Sequence, residues 1–585
     1  MKKPIIKGVI VTAMLSLVAF ACSESFLEAP ATGALASNQL TSRAGLDGLL
    51  ISTYGQLNGR GYNQAAASLD WVRGSVSGGD GNKGSNSGDF NSLTPFQTYQ
   101  VLPTAGDVNQ KWQALYEGVS RANMVLRMIP QAAADVSAAD KTRITAEARF
   151  LRGHYYFLLK RQWNMVPYVD ETTDYSLGIE KIANNVDIWS KIEADFKFAA
   201  DNLTATQSAV GRANKWAATA YLAKTYLYQK KYTEAKPLFD QVIANGTTSD
   251  GTKYALVANF TNIFNAATEK NSESVFADQA AANTGSADNA NPNLNLNFPY
   301  NTGSNGPAGC CGFFPPSFEM ANSFRVNANG LPLLDGSYNS ATNELKTDQG
   351  IASNAAFTPD AGPVDPRLDW SVGRRGIPYL DWQVHPGQDW IRDQGFAGPY
   401  SPKKFVFYRT QSKTLTDGSS WTDGYSAINY NFIRFADVLL MAAECEIEAG
   451  SLEKAREYVN MVRTRAANTS YWVKTAAGAN AANYVISNYT APWTDKATAT
   501  AAVRFERKLE LSGEGHRFFD LVRWGTATTD LNAFVGYESK KLPVAYSGAA
   551  FTANQDEYLP IPQTQIDLQG NDASGNKVLK QNPGY

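Results

Sequence analysis

The chain has 585 residues, of which 43% are hydrophobic, 18% charged and 12% aromatic, enough polypeptide to bury a large core without a disulfide lattice or a structural metal. Its 53 basic and 55 acidic residues create no basic field for nucleic acid. Three histidines and four cysteines, with no CxxC or HExxH spacing, leave little from which to build a zinc site.

Lys2, Lys3 and Lys7 precede an apolar run of 14 residues, Gly8 to Ala21. Such a run is too short to cross a bilayer as a helix and has the layout of a secretory leader. It ends in small residues at Ala19 and Ala21, and Ala19-Phe20-Ala21-Cys22 resembles a bacterial lipoprotein box, in which the cysteine is acylated and becomes the new N-terminus. An ordinary cleavage site with a cysteine nearby by chance is the alternative. Residues 1–21 carry three lysines and no acid, so their removal takes the formal charge from −2 to −5. No second apolar stretch reaches 18 residues. The expected mature chain, 22–585, is an acidic globule held to a membrane by lipid on Cys22.

Gly74 to Thr94, GSVSGGDGNKGSNSGDFNSLT, reads as an irregular excursion. Its GGDGNKG lacks the GxxxxGK[ST] spacing of a phosphate loop. Asp80, Asn82 and Asp89 offer oxygens but do not fit a calcium-binding EF-hand.

Residues 109–245 read as helix after helix. Leu222-Ala223, Tyr226, Tyr232, Ala235 and Phe239 follow tetratricopeptide offsets, in which small residues let two antiparallel helices approach and rings fill the space between pairs. A second copy has Ala443 and Ala455 in the same register, Gly450 at the turn and Val459 in the second helix. Its first helix is predicted over 432–449, with Phe432, Ala436, Leu439, Leu440, Ala443 and Ile447 as a buried stripe. A weaker copy sits at Gly153 and Tyr156, before a helix over 187–203. The fold expected is mostly α: a tetratricopeptide-like solenoid frame over about 109–245 and 430–535.

Between about 246 and 430 the helical periodicity stops. Eight asparagines fall between Asn283 and Asn305, and Gly and Pro punctuate the rest. Phe313, Phe314, Phe318, Trp370, Tyr379, Trp382, Trp390, Tyr400 and Trp421 argue against disorder and for a large ordered, functional insert.

Two clusters carry chemistry. Glu506, Arg507, Glu510, Glu514, His516, Arg517, Asp520 and Arg523 read as ion pairs pinning the last helices to the frame, because one helix–turn–helix does not oppose two carboxylates across a cleft. Cys445 lies in the buried stripe and is expected to act as a small apolar residue. Cys310 and Cys311, adjacent and flanked by Gly309 and Gly312, are able to close on each other in an oxidising compartment and offer an apolar ring face to a sugar. Two reduced cysteines, or a bond of structural value alone, are the alternatives.

CSESFLEAP, TAEARFLRGHYYFLLKRQWNMVPYVDE, FIRFADVLLMAAECEIEAGSLEKAREYVNMVRTRA, ERKLELSGEGHRFFDLVRWG and the terminal YLPIPQTQIDLQG…LKQNPGY together resemble the SusD/RagB family of outer-membrane nutrient-binding lipoproteins of Bacteroidetes. The resemblance runs from Cys22 to Tyr585. GCCGFFPPSFEMANSF with DPRLDWSVGRRGIPYLDW looks like one large subgroup. The resemblance implies a non-enzymatic surface lipoprotein on the outer membrane, facing the exterior. Such a protein captures oligosaccharides and delivers them to a SusC-type TonB-dependent transporter. No metal or cofactor is expected. The acidic Ser23-Glu24 is compatible with surface export. A protein–protein scaffold without glycan binding is the alternative, because tetratricopeptide frames bind peptides.

Family ligand contacts come from irregular loops, where sugar faces pack on rings and hydroxyls bond to Asp, Asn and Arg. Trp71, Trp370, Trp382, Trp390, Tyr379 and Tyr400 lie outside the helical repeats; Trp112, Trp163, Trp189, Trp216 and Trp524 lie inside them and are expected to be core. Asp80, Lys83, Asp89, Arg374 and Arg375 are the polar candidates. The expected ligand site is Asp80, Cys310, Cys311, Arg374, Trp382 and Tyr400.

Overall fold

A computed structural model describes residues 37–59, 63–174, 181–301, 305–307 and 309–585, so the predicted leader and the lipidation site Cys22 lie outside the described residues. Six long helices come first: α1 (Arg43–Gly55), α2 (Gly106–Met128), α3 (Ala138–Trp163), α4 (Trp189–Asn202), α5 (Lys215–Tyr228) and α6 (Tyr232–Asn245). Ser42, Ser137 and Asn214 start three of them by accepting from the N–H of Gly45, Asp140 and Ala217, groups that have no partner inside the helix. From α2 to α6 each helix packs on the next.

The predicted small-residue register is real. Ala223, Ala235, Ala443 and Ala455 are wholly buried, as are Phe239 and Val459. Gly153 packs against Phe196, whose ring would lie 3.1 Å from an added Cβ. The frame then continues across the insert. α7 (Phe435–Ala449) packs on α6 although residues 246–434 intervene, and α8 (Leu452–Ala466) and α9 (Lys496–Glu510) follow. Two further helices, α10 (Arg517–Trp524) and α11 (Ala527–Lys541), close the C-terminal side. Trp112, Trp163, Trp189, Trp216 and Trp524 all fall in these helices; Trp112 and Trp163 are core as expected, whereas Trp189, Trp216 and Trp524 are half-buried on helix faces.

The structure corrects the start of the second repeat. Residues 430–434 are a strand, β2 (Tyr430–Arg434), paired antiparallel with β1 (Ser274–Asp278), and the helix begins only at Phe435. Phe432 therefore belongs to the strand, where its ring stacks on Phe276 at 5.8 Å and meets His154 at 4.5 Å. The apolar stripe was real, but its first member reaches the core from a strand; a run of alternating rings satisfies either period.

The charged C-terminal cluster is an interior ion-pair network. Glu510 accepts from Arg434 at 2.7 Å, from Arg367 at 3.1 Å and from Arg465. Glu506 accepts from Arg367 at 2.6 Å and Arg463 at 2.9 Å, and Arg507 bridges Asp437 and Asp520. The arginines of β2, α8 and the segment before Trp370 thereby tie α9 to the frame. They hold the Glu510 carboxyl well below the usual carboxylate range against the opposing effect of burial, and Lys224 and Arg507 do the same for Asp437.

Candidate ligand-binding surface

The glycine-rich segment is not a solvated loop. Residues 71–85 are buried, beginning with a π-helical turn over Trp71–Val76. A Cβ on Gly74 would lie 2.1 Å from the Gly515 carbonyl oxygen, and one on Gly84 would lie 2.4 Å from the Pro315 ring. The glycines are there because two backbones pass at contact distance. Phe314 N donates to Lys83 O at 3.0 Å, and Ser85 N donates to Gly312 O at 2.7 Å, so this segment forms the floor beneath residues 312–316.

That packing removes three predicted ligand residues from the surface. Asp80 is buried and accepts from Gly513 N at 2.9 Å and Ser75 Oγ at 3.2 Å, and burial pushes its carboxyl up to about 6. Arg374 is spent on a forked pair with Asp369 at 2.6 and 2.9 Å. Tyr400 is buried in a second apolar cluster, edge-on to Phe318 at 5.8 Å. Among the other loop rings, Trp71, Trp370, Tyr379 and Trp390 are no more than 3% exposed. Scattered rings in irregular chain signal an interior as readily as a ligand site, because a long insert needs its own core.

Of the remaining three predicted residues, Cys310 and Trp382 reach the surface, whereas Cys311 is packed into the core. Cys310 and Cys311 are bonded to each other across a cis peptide bond, Cys311 buried and Cys310 half-buried. Cys445, in α7, is free and buried. Trp382 is half-buried, its Nε1 donating to Phe407 O at 3.2 Å and its ring edge-on to Phe407 at 5.8 Å. Phe407 in turn meets Phe298, two residues before Tyr300. Phe298 thus packs with Tyr379, Trp382, Val406 and Phe407 around Trp390, whose ring lies 2.6 Å from the Cβ position of Gly306.

Sequence reasoning missed Tyr300 and Arg392. Gly312 abuts Tyr300, and the Arg392 guanidinium stands over the Tyr300 ring at 5.8 Å while donating to Asp89 at 2.6 Å and Ser85 at 3.0 Å. No local pattern marks either residue; only the fold brings 85–89, 300, 310–312 and 392 together. A second exposed ring stands on the adjoining loops. Asp381, next to Trp382, accepts from the N–H groups of Arg409 and Thr410 at 2.6 and 3.0 Å. Asp423 accepts from Ser412 and Thr416 at 2.7 and 2.8 Å. Trp421, on the loop so pinned, is 57% exposed.

The histidines take no part in this surface. Burial drives His154 and His385 down to about 3 and His516 to about 4, so all three are neutral. For His385 the geometry agrees, since Gly387 N donates to its Nδ1 at 3.1 Å and leaves Nε2 to donate to Ser401.

The SusD family model matches residues 272–585, the larger part of the chain and the part that carries β1, the insert and the ion-pair network. The chain belongs to the SusD family. A second model of that group, described as starch-binding associating with outer membrane, matches residues 75–227. SusD-like protein P25 of Formosa agariphila is 26% identical over 457 residues, covering 74% of this chain and 75% of that protein. A SusD-like protein of Bacteroides ovatus is 29% identical over 278 residues, 46% of this chain and 49% of its own. Among solved structures, a surface glycan-binding protein A from Bacteroides thetaiotaomicron in complex with laminarihexaose superposes with a TM-score of 0.62 at 19% identity, over 92% of this chain and 99% of its own. A laminarin binding SusD-like protein gives 0.63 at 23% identity, over 93% of this chain and all of its own. This member of the SusD family therefore has the family's helical frame along nearly its whole length.

Proposed function

We propose that this SusD-family chain is a cell-surface lipoprotein that captures oligosaccharides and hands them, uncut, to a SusC-type TonB-dependent outer-membrane transporter. In this reading residues 22–585 act as one unit, anchored through lipid on Cys22 and facing the cell exterior. One observation carries it: the insert builds its own aromatic core and still leaves Trp382 half-exposed and Trp421 exposed. Tyr300 and the Cys310–Cys311 ring belong to the same insert, and the Arg392–Asp89 pair stands at the Tyr300 ring. Ring faces and forked polar groups are the two things a sugar needs. The printed descriptions of two superposing structures, laminarin binding and in complex with laminarihexaose, support a β-glucan among the ligands to try first. Glu506 and Glu510 are saturated by arginine, which supports binding without hydrolysis.

Affinity electrophoresis against a polysaccharide panel that includes laminarin tests the reading. Retarded migration with no reducing ends released supports it; release of reducing ends over time rejects the non-enzymatic part. The scaffold reading also has an observation in its favour. An open groove of about 870 Å³ runs between α6 and α8, lined by Ile243, Tyr254, Leu256, Phe435 and the exposed Met461. No retardation on any glycan, with stable co-purification of a channel protein, favours that reading.

A further inference from the structure

A separate cavity of about 440 Å³ opens between α9, α10 and the loop at 334–339, and it shares no residue with the surface just described. Arg504, Lys508, Arg517, Tyr338, Phe505 and Trp524 dominate its lining. Most interior arginines meet a carboxylate, as Arg367, Arg434, Arg463, Arg507 and Arg523 do, while Arg73 and Arg375 donate to backbone carbonyls instead. Arg504 and Arg517 do neither among the described residues. Both are half-buried, and their guanidiniums stand over the Trp524 ring at 4.8 and 5.9 Å. Neither forms an ion pair with any carboxylate among the described residues.

Of the cavity's other charged groups only Lys508 and Glu319 pair with each other, while Asp335 and Asp530 bond to neutral donors and Asp530 offsets part of the burial cost of Arg504. Lys508 donates to Glu319 and to the Tyr338 hydroxyl at 3.1 Å. Asp335 accepts from Ser337 N at 3.1 Å and Ser337 Oγ at 2.6 Å, and Asp530 accepts from Thr526 Oγ1 at 2.8 Å. Two guanidinium forks outside any ion pair thus share one cavity with the Tyr338 and Phe505 rings, which meet each other at 5.7 Å. Burial disfavours the charge on Arg504, and an anion in the cavity would relieve that cost.

We propose that this cavity binds an oxyanion carried on a sugar, a carboxylate or a sulfate, with Arg504 and Arg517 taking the charged oxygens and Tyr338 and Phe505 flanking the ring. A forked guanidinium suits both oxyanion geometries, and hydrogen bonds to charged groups are the strong ones. Calorimetric titration of the mature chain with glucuronate, glucose 6-sulfate, inorganic sulfate and glucose tests it. Glucuronate or glucose 6-sulfate is expected to bind, and glucose is not. Arg504→Gln and Arg517→Gln should each weaken that binding by about tenfold or more, with only a small change in melting temperature because neither side chain forms an ion pair and each gives up only its contact with the Trp524 ring. Trp382→Ala should leave it untouched, which keeps the test independent of the loop-borne glycan site. Absence of binding by both charged sugars, or binding that neither arginine variant weakens, overturns the proposal. Inorganic sulfate binding more tightly than either charged sugar overturns its saccharide part.

Discussion

Arg434 Nη1 donates to the Glu510 carboxylate at 2.7 Å, with both side chains cut off from water. One strand residue and one helix residue are thereby locked at the centre of the frame, and Arg367 and Arg465 converge on the same carboxylate. A carboxylate that satisfies three guanidiniums has no freedom to move protons. It is a structural part whose removal leaves buried positive charge without a counterion.

Glu510→Gln should therefore cost about 3–5 kcal/mol, the range for stranding a buried charge. Urea unfolding of the two proteins measures it. A loss below about 1 kcal/mol would mean that water reaches the network and that the pairs are weaker than their geometry implies.

Glu538 carries the opposite sign. It accepts from Glu319 N at 2.7 Å through one oxygen, leaves Oε2 without a partner, and burial pushes its carboxyl up to about 8. The folded chain thus holds a proton that the unfolded chain releases near the ordinary glutamate value, and stability falls as pH rises between the two. Glu538→Gln removes that dependence. Its melting temperature relative to the parent should climb from pH 5 to pH 8 and level off above; a difference that stays flat over that window rejects the buried titration.

Gly74 and Gly536 make a paired test of backbone packing. A Cβ at Gly74 meets the Gly515 carbonyl oxygen at 2.1 Å, so Gly74→Ala should destabilise by about 1–3 kcal/mol or more. Gly536 lies exposed within α11 with nothing near its Cβ position, and Gly536→Ala should stabilise by about 0.5–1 kcal/mol. Thermal unfolding reports both, and a neutral Gly74→Ala would return the glycine-rich segment to the surface.

Trp382→Ala should weaken retention on a bound polysaccharide at least several-fold while the fold persists, because the ring is only half-buried. Trp421→Ala should do the same, and Tyr400→Phe should do nothing, since that ring is interior. Unchanged retention in both tryptophan variants would move the ligand site away from this face.

Thiol titration checks the remaining element. An unfolded, unreduced chain beginning after Cys22 should show one thiol, Cys445, and three after reduction. Three thiols before reduction would remove the ring from the proposed surface.

Much of the frame was legible because its information is local. Ala223 with Ala235, and Ala443 with Ala455, announce close helix packing within a single turn-and-return of chain, whereas the partners of Glu506 and Glu510 in the ion-pair network, Arg367, Arg434, Arg463 and Arg465, come from distant segments. The start of the second repeat was misread because Phe432 fits a helical stripe and a strand equally, and its partner Phe276 lies far upstream.

The candidate surface was the least legible part. Asp80, Arg374 and Tyr400 have the chemistry of ligand contacts, but their partners Gly513, Asp369 and Phe318 use that chemistry inside the chain. By itself the sequence determined a near-neutral, aromatic-rich chain with three lysines ahead of a short apolar run, a repeat register and a family. Tertiary structure alone decided which of its rings and charges are spent on packing and which remain for a ligand. Burial depends on what distant segments bring against a side chain, and neither composition nor spacing records that.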